Sequence, residues 1–223
     1  MQHDFNRGAW RFSVLAGLLI AGQLLVASTA SAAQVALVDE SGAPLANVVL
    51  LVDGVPPQAG EGYVMDQIDR QFVPYLLAAP VGAQVDFPNS DDVRHHVYSF
   101  SEAKPFELRL FKGSDAPPVT FDRTGVVVLG CNIHDAMLGY ILVTDSPRFA
   151  VSDEQGHVTL PDLPVGKWPV SWWHPSRLQK GPVSLGELDL TTSQQTLQLP
   201  VSAAQARPAP MLSPLQQRFK SGY

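Results

Sequence analysis

The heptapeptide Cys131-Asn132-Ile133-His134-Asp135-Ala136-Met137 contains the only cysteine of the chain. A histidine and a methionine follow the cysteine at three-residue steps, so a thiolate, an imidazole and a thioether lie close together in the sequence. This donor set is typical of a soft metal site with nitrogen and sulfur ligands.

Apolar, β-branched runs lie on both sides of the heptapeptide, over residues 126–130 before it and 140–143 after it. Such runs predict two strands. We therefore expect a tight loop between two strands, with the candidate ligands on the loop.

The rest of the chain shows the same alternation of short apolar segments and turns. Charged residues make up 16% of the 223 residues, and 17 glycines and 19 prolines favour a turn-rich β protein over a helical bundle. Short strands at regular spacing predict an all-β sandwich or barrel of one or two domains. The formal net charge of −6 argues against a nucleic-acid partner or an anionic membrane surface.

The first 32 residues are typical of a secretory signal peptide. Arg7 and Arg11 precede an apolar run over 14–26, and small residues follow up to Ala33. We predict cleavage after Ala32 and a periplasmic protein with no membrane span after cleavage; an uncleaved anchor is the alternative. In an oxidising compartment the lone Cys131 has no internal disulfide partner, so it is either a metal ligand or a buried, inert thiol.

A further ligand must come from elsewhere in the chain. His157 lies in a polar hairpin turn and is expected at the surface, and His174, between two tryptophans and a proline, is expected to pack at a strand end. His95 and His96 remain. Strand alternation puts them on opposite faces, so only one can face the metal, and the strand geometry permits either.

Residues 87–97, Phe-Pro-Asn-Ser-Asp-Asp-Val-Arg-His-His-Val, together with Cys131-x-x-His134-x-x-Met137, resemble the cupredoxins, which are plastocyanin- and amicyanin-like type 1 copper proteins. In that family an Asn precedes the first histidine ligand by six residues, as Asn89 precedes His95. The resemblance implies that His95, Cys131 and His134 are the strong copper ligands and that Met137 is a weak axial one. His96 departs from the family, which usually has Asn at this place.

The resemblance covers roughly residues 62–145. It implies a Greek-key cupredoxin β-sandwich holding one mononuclear type 1 copper, and single-electron transfer between redox protein partners rather than enzymatic catalysis. Zinc is a poorer fit to the donor set, because Met is a poor zinc ligand.

The flanks carry a second resemblance. Residues 35–52 and 149–174 resemble a carboxypeptidase-regulatory-like (transthyretin-like) β-sandwich, which the copper domain would interrupt; alternatively, the first strands belong to the copper domain itself. The expected division is a signal peptide over 1–32, N-terminal strands over 33–61, the cupredoxin domain over 62–145, a C-terminal sandwich segment over 146–201 and a disordered tail over 202–223.

Two other functions use the same residues. A periplasmic copper carrier or scavenger would hold Cu(I) on the same soft ligands at an exchangeable site. An envelope binding module would keep the metal only for structure, and Trp168, Trp172 and Trp173 would either line its binding face or pack in its core.

Overall fold

The computed structural model describes residues 33–202, except 59, 61, 161, 162, 165, 179 and 190–193. The predicted signal peptide and, from residue 203 onward, the predicted disordered tail lie outside the described residues. Within the described part of the chain, no helix has the length and apolar character that crossing a membrane requires.

The described residues form strands and one short 3-10 helix, Pro175–Arg177. The strands in chain order are β1 Ala33–Val38, β2 Val49–Val52, β3 Tyr63–Val64, β4 Asp66–Ile68, β5 Gln71–Val73, β6 Leu76–Pro80, β7 Ala83–Asp86, β8 His95–Ser99, β9 Phe106–Phe111, β10 Val119–Phe121, β11 Gly125–Gly130, β12 Leu138–Thr144, β13 Arg148–Val151, β14 His157–Leu160, β15 Lys167–Trp173, β16 Val183–Asp189 and β17 Gln194–Gln198. The prediction of an all-β fold is confirmed.

Two sheets surround the region of the predicted ligands. A five-stranded sheet has the order β6-β12-β11-β8-β9, and a three-stranded sheet has the order β10-β7-β3. An apolar core that includes Phe87, Phe121, Val127 and Ile141 contains residues from both sheets. Alternating burial along β7 and β11 explains this arrangement, because every second side chain of a strand faces the same side of its sheet.

The predicted loop between two strands is confirmed. Strands β11 and β12 pair antiparallel from Gly125↔Val143 to Gly130↔Leu138, so residues 131–137 form the connection between them. The heptapeptide is therefore closed at its base by the β11–β12 ladder, which fixes where its two ends lie.

The strands before and after this region share two further sheets. Strand β1 pairs with β14 and β17, and β2 pairs with β13 and β15. Together with β16 they enclose a second core. The N-terminal strands thus pair with C-terminal strands, rather than with the sheets around the ligand loop.

A third apolar cluster joins the two halves of the molecule. Val49, Leu51 and Trp173 from the flanking strands pack with Tyr140 and Leu142 of β12. The Tyr140 and Trp173 rings meet edge to face, with centroids 6.2 Å apart.

Trp172 and Trp173 are fully buried, whereas Trp168 is only partly buried. Of the two predicted roles for these residues, core packing therefore holds for Trp172 and Trp173.

Candidate metal centre

The structure brings three of the predicted ligands together. His95 begins β8, and Cys131 and His134 lie on the β11–β12 loop. Their donor atoms, one from each residue, all lie within 4.8 Å of one another. Cys131 Sγ is 3.8 Å from both His95 Nδ1 and His134 Nδ1, and the two Nδ1 atoms are 3.1 Å apart.

These separations fit a single metal ion. Metal–nitrogen bonds of about 2.0 Å and metal–sulfur bonds of about 2.3 Å allow at most ~4 Å between two nitrogens and ~4.3 Å between nitrogen and sulfur around one ion. The observed distances of 3.1 Å and 3.8 Å lie inside both limits. The donor set of two imidazoles and one thiolate is the set found in trigonal copper sites with a weak axial thioether.

Met137 ends the loop close to this cluster. Its side chain is buried in the same apolar core as Cys131, and its N–H donates to the His134 carbonyl over 2.9 Å. That hydrogen bond closes a turn between the second and third candidates on the loop. The role of Met137 as an axial ligand stays a prediction.

A carboxylate determines the orientation of the His95 ring. His95 is fully buried, and its Nε2 lies 2.5 Å from Asp91 Oδ2. An ionised carboxylate can only accept hydrogen bonds, so the ring carries its proton on Nε2 and presents a lone pair on Nδ1. This is the tautomer that a metal ligand through Nδ1 requires.

The Asp91 carboxylate is itself held by backbone amides. Asp69 N–H donates to Oδ1 over 2.7 Å and Arg70 N–H donates to Oδ2 over 2.9 Å. Burial pushes the pKa of Asp91 upward, but the hydrogen bonds from Arg70, His95 and Asp69 outweigh it and hold the pKa below its usual value.

His96 lies apart from the donor cluster. Its Nε2 is 3.0 Å from Glu107 Oε1, where the pair forms no hydrogen bond, and its ring faces Tyr98 at 5.9 Å between centroids. Because side chains alternate along β8, only one of the two histidines can lie beside Cys131, and the structure shows that it is His95.

The turn before β8 is stabilised by Asn89, the asparagine of the predicted motif. Its side-chain Nδ2 donates to the carbonyls of Val93 and Phe111, each over 2.9 Å, and its Oδ1 accepts from Asp91 N–H over 3.0 Å. The residue is buried, so these bonds are shielded from water. Asn89 therefore ties the chain that leads to His95 to the end of β9.

His134 is half-buried at the edge of the cluster. Desolvation is the main reason why the pKa of His134 is lowered; electrostatic interactions with His95 and Arg70 act in the same direction, while Asp91 opposes them. The ring is thus favoured in its neutral form, which is the form that binds a metal.

An open cleft of about 950 Å³ borders the cluster on the side of Cys131. Tyr98, Phe106 and Leu138 line it, and Phe100 at its rim is 87% exposed. Tyr98 lies directly over Gly130: a Cβ on Gly130 would lie 2.7 Å from the Tyr98 ring and 2.8 Å from its hydroxyl.

The two remaining histidines lie where the sequence predicts. His157 is exposed as the first residue of β14, directly after the turn, and His174 is fully buried directly after β15. Its Nδ1 accepts from Ser176 N–H over 3.1 Å, but its buried Nε2 has no hydrogen-bond partner.

Sequence reasoning missed the role of Asp91. The composition of residues 88–92, Pro-Asn-Ser-Asp-Asp, indicates only a turn. A carboxylate four residues before a candidate ligand is the signal that could have identified it, although the hairpin residues that hold it, Asp69 and Arg70, are about twenty residues away in the chain.

No protein-family model matches the chain, and no curated protein matches it. Solved structures do show similarity over part of it. The copper-containing nitrite reductase NirK of Thermus scotoductus SA-01 aligns at 23% identity over 48% of this chain, with a TM-score of 0.36. This chain spans only 28% of that protein.

Two smaller proteins match nearly in full. A purple cupredoxin of Nitrosopumilus maritimus is 22% identical over 38% of this chain and 100% of its own, with a TM-score of 0.33. The reduced state of an amicyanin mutant is 21% identical over 43% of this chain and 98% of its own, with a TM-score of 0.34.

Proposed function

We propose that this protein is a type 1 copper protein that transfers single electrons between redox partners and does not catalyse bond formation or cleavage. The observation that carries the proposal is the convergence of His95 Nδ1, Cys131 Sγ and His134 Nδ1 within the reach of one ion. The buried Met137 would supply the weak axial sulfur.

Bound copper would supply a one-electron redox couple. The chain holds its ligands on elements that resist movement: His95 on a strand with a fixed tautomer, and Cys131 and His134 on a loop closed by the β11–β12 ladder. Rigid ligands keep nearly the same arrangement in both oxidation states, which suits electron transfer. The half-buried ring of His134 would be the most accessible edge of the site.

The proposed setting is the periplasm, after removal of the signal peptide. The basic start, apolar middle and small-residue end of residues 1–32 support export. A net charge of −6 would favour a partner with a basic docking surface.

We also propose that the strands before and after the copper region form a carboxypeptidase-regulatory-like sandwich. Their pairing in shared sheets, β1 with β14 and β17 and β2 with β13 and β15, supports that proposal.

A copper carrier is the second candidate. It is favoured by the partial exposure of His134, since an exchangeable Cu(I) site needs a ligand that a partner can reach. A carrier and an electron-transfer protein differ in how they bind Cu(II), so spectroscopy can distinguish them.

The deciding measurement is the visible and electron-spin-resonance spectrum of the mature protein loaded with Cu(II), recorded beside Cys131→Ser, His95→Ala and His96→Ala. We expect an intense sulfur-to-copper band with narrow copper hyperfine splitting, lost in Cys131→Ser and His95→Ala but kept in His96→Ala. His96→Ala is the matched control because it removes the neighbouring imidazole.

A colourless protein that reduces Cu(II) or releases copper readily would favour the carrier. A protein that binds no copper would overturn both candidates.

A further inference from the structure

The His95 ring is hydrogen-bonded on the side away from Cys131 and His134 by a carboxylate that lies in the turn leading into β8. Asp91 Oδ2 lies 2.5 Å from His95 Nε2, and the Asp91 side chain is only 11% exposed. Histidine metal ligands often donate their second N–H to such a partner, which fixes the tautomer and raises the basicity of the ligand nitrogen.

The carboxylate has little freedom to move. Its two oxygens accept from the amides of Asp69 and Arg70, which form the tight turn between β4 and β5 with φ angles of 52° and 58°. Its own backbone N–H is bonded to Asn89. Asp91 is thus fixed on one side by a hairpin and on the other by the turn before β8.

We propose that Asp91 is a positioning residue of the metal centre. Its carboxylate keeps His95 Nδ1 aimed at Cys131 and His134, and its negative charge favours the more positive oxidation state of a metal bound there. This inference rests on the proposed copper site and names a residue that sets the affinity and the reduction potential of that site.

Two substitutions separate the two effects. Asp91→Asn keeps the size and one acceptor oxygen but removes the charge, so it tests the effect on potential. Asp91→Ala removes the carboxylate altogether, so it tests the orientation of the ring. Asp92→Asn and Asp92→Ala are matched controls, because Asp92 is the next residue and is exposed.

Three readouts are needed: the reduction potential of the copper-loaded protein, the dissociation constants for Cu(II) and Cu(I), and the ring tautomer of His95 in the metal-free protein by ¹⁵N NMR. For Asp91→Asn we expect Cu(II) to bind about 10–100-fold more weakly with a smaller change for Cu(I). Each tenfold loss of Cu(II) affinity that Cu(I) does not share raises the one-electron reduction potential by about 59 mV.

For Asp91→Ala we expect a mixture of His95 tautomers in place of the single Nε2–H form, and weaker binding of both oxidation states. The Asp92 variants should keep the parent tautomer and potential. If Asp91→Ala does not fold, Asp91→Asn still decides the effect of the charge.

The inference is overturned if Asp91→Asn keeps the parent potential or shifts it no more than Asp92→Asn, or if Asp91→Ala keeps a single Nε2–H tautomer. These failures differ from a failure of the proposed function. A parent protein without a sulfur-to-copper band would refute the type 1 site, whereas the tautomer of the metal-free protein would still test the positioning role.

Discussion

At the residue scale, the fit between Gly130 and Tyr98 shows how closely the ligand loop is packed. Gly130 is the last residue of β11 and directly precedes Cys131, and the Tyr98 ring occupies the space where a side chain would lie. A glycine is needed here because of the close approach of the ring, and not because of an unusual backbone conformation.

We predict that Gly130→Ala lowers the free energy of unfolding by about 1–3 kcal/mol, since the added methyl group must displace Tyr98. The measurement is denaturant unfolding in a double-mutant cycle with Tyr98→Ala. In the Tyr98→Ala background, Gly130→Ala should lower the free energy of unfolding by clearly less. Equal costs in both backgrounds would show that the ring is not the cause.

His174 illustrates a different residue-scale effect. Burial lowers its pKa from 6.5 to about 4. Below pH 6.5 the unfolded chain takes up a proton that the folded chain does not, so stability falls as the pH drops from about 6.5 toward about 4.

The loss attributable to His174 is about 3 kcal/mol by pH 4. We predict that His174→Asn flattens the decline of the free energy of unfolding between pH 7 and pH 5. Asparagine keeps an acceptor for Ser176 N–H, so the change in slope is due to the lost imidazole. His157→Asn, which removes an exposed histidine, should leave the slope as in the parent protein; a parent-like slope in His174→Asn would refute the prediction.

At the scale of elements, the segment between β7 and β8 brings His95 to the ligand loop by way of Asn89. The three side-chain hydrogen bonds of this buried residue connect its own turn with the end of β9. The register between β8 and β9 shifts by one residue between His95 and Val97. A bulge beside a functional site re-aims the strand that carries it.

We predict that Asn89→Ala lowers the free energy of unfolding by roughly 3 kcal/mol, because it leaves the carbonyls of Val93 and Phe111 buried without their donor. It should also weaken copper binding, since His95 follows this turn. Thermal and denaturant unfolding measure the first effect and copper titration the second. Asn132→Ala, at an exposed asparagine, is the control for stability and should cost less than about 0.5 kcal/mol.

At the scale of the whole molecule, the sheet that contains β12 and the sheet of the flanking strands share an apolar interface. Trp173 is fully buried there against Tyr140, while Trp168 lies partly exposed at the start of the same strand, β15. This contact reaches the strand that follows the ligand loop.

We predict that Trp173→Ala lowers the free energy of unfolding by about 3–5 kcal/mol, as is usual for a large aromatic residue removed from a core. Trp168→Ala should cost substantially less. Denaturant unfolding followed by circular dichroism provides the comparison. Similar losses for the two variants would contradict the assigned interface.

The sequence was sufficient to predict what depends on local pattern. The heptapeptide between two β-branched runs indicated a loop between paired strands, and alternation placed His95 and His96 on opposite faces. The part that could not be predicted depends on contacts between distant segments. The support of Asp91 by Asp69 and Arg70 brings together residues whose neighbourhood no local pattern encodes. The resemblance of the two flanks offered their association as one of two alternatives, but the register of β2 with β13 and β15 is not encoded locally.

The pairing of β2 with β13 has a consequence for the long segment between these two strands. Val52 and Arg148 are directly opposite each other in that ladder, so the intervening residues leave and rejoin the sheet at neighbouring positions, as the loop of a hairpin would. When the fold of a segment already holds its two ends close together, closing such a loop costs little further conformational entropy. The whole segment between Val52 and Arg148 therefore enters and leaves the flanking sheet at one place, so its length is decoupled from the geometry of that sheet.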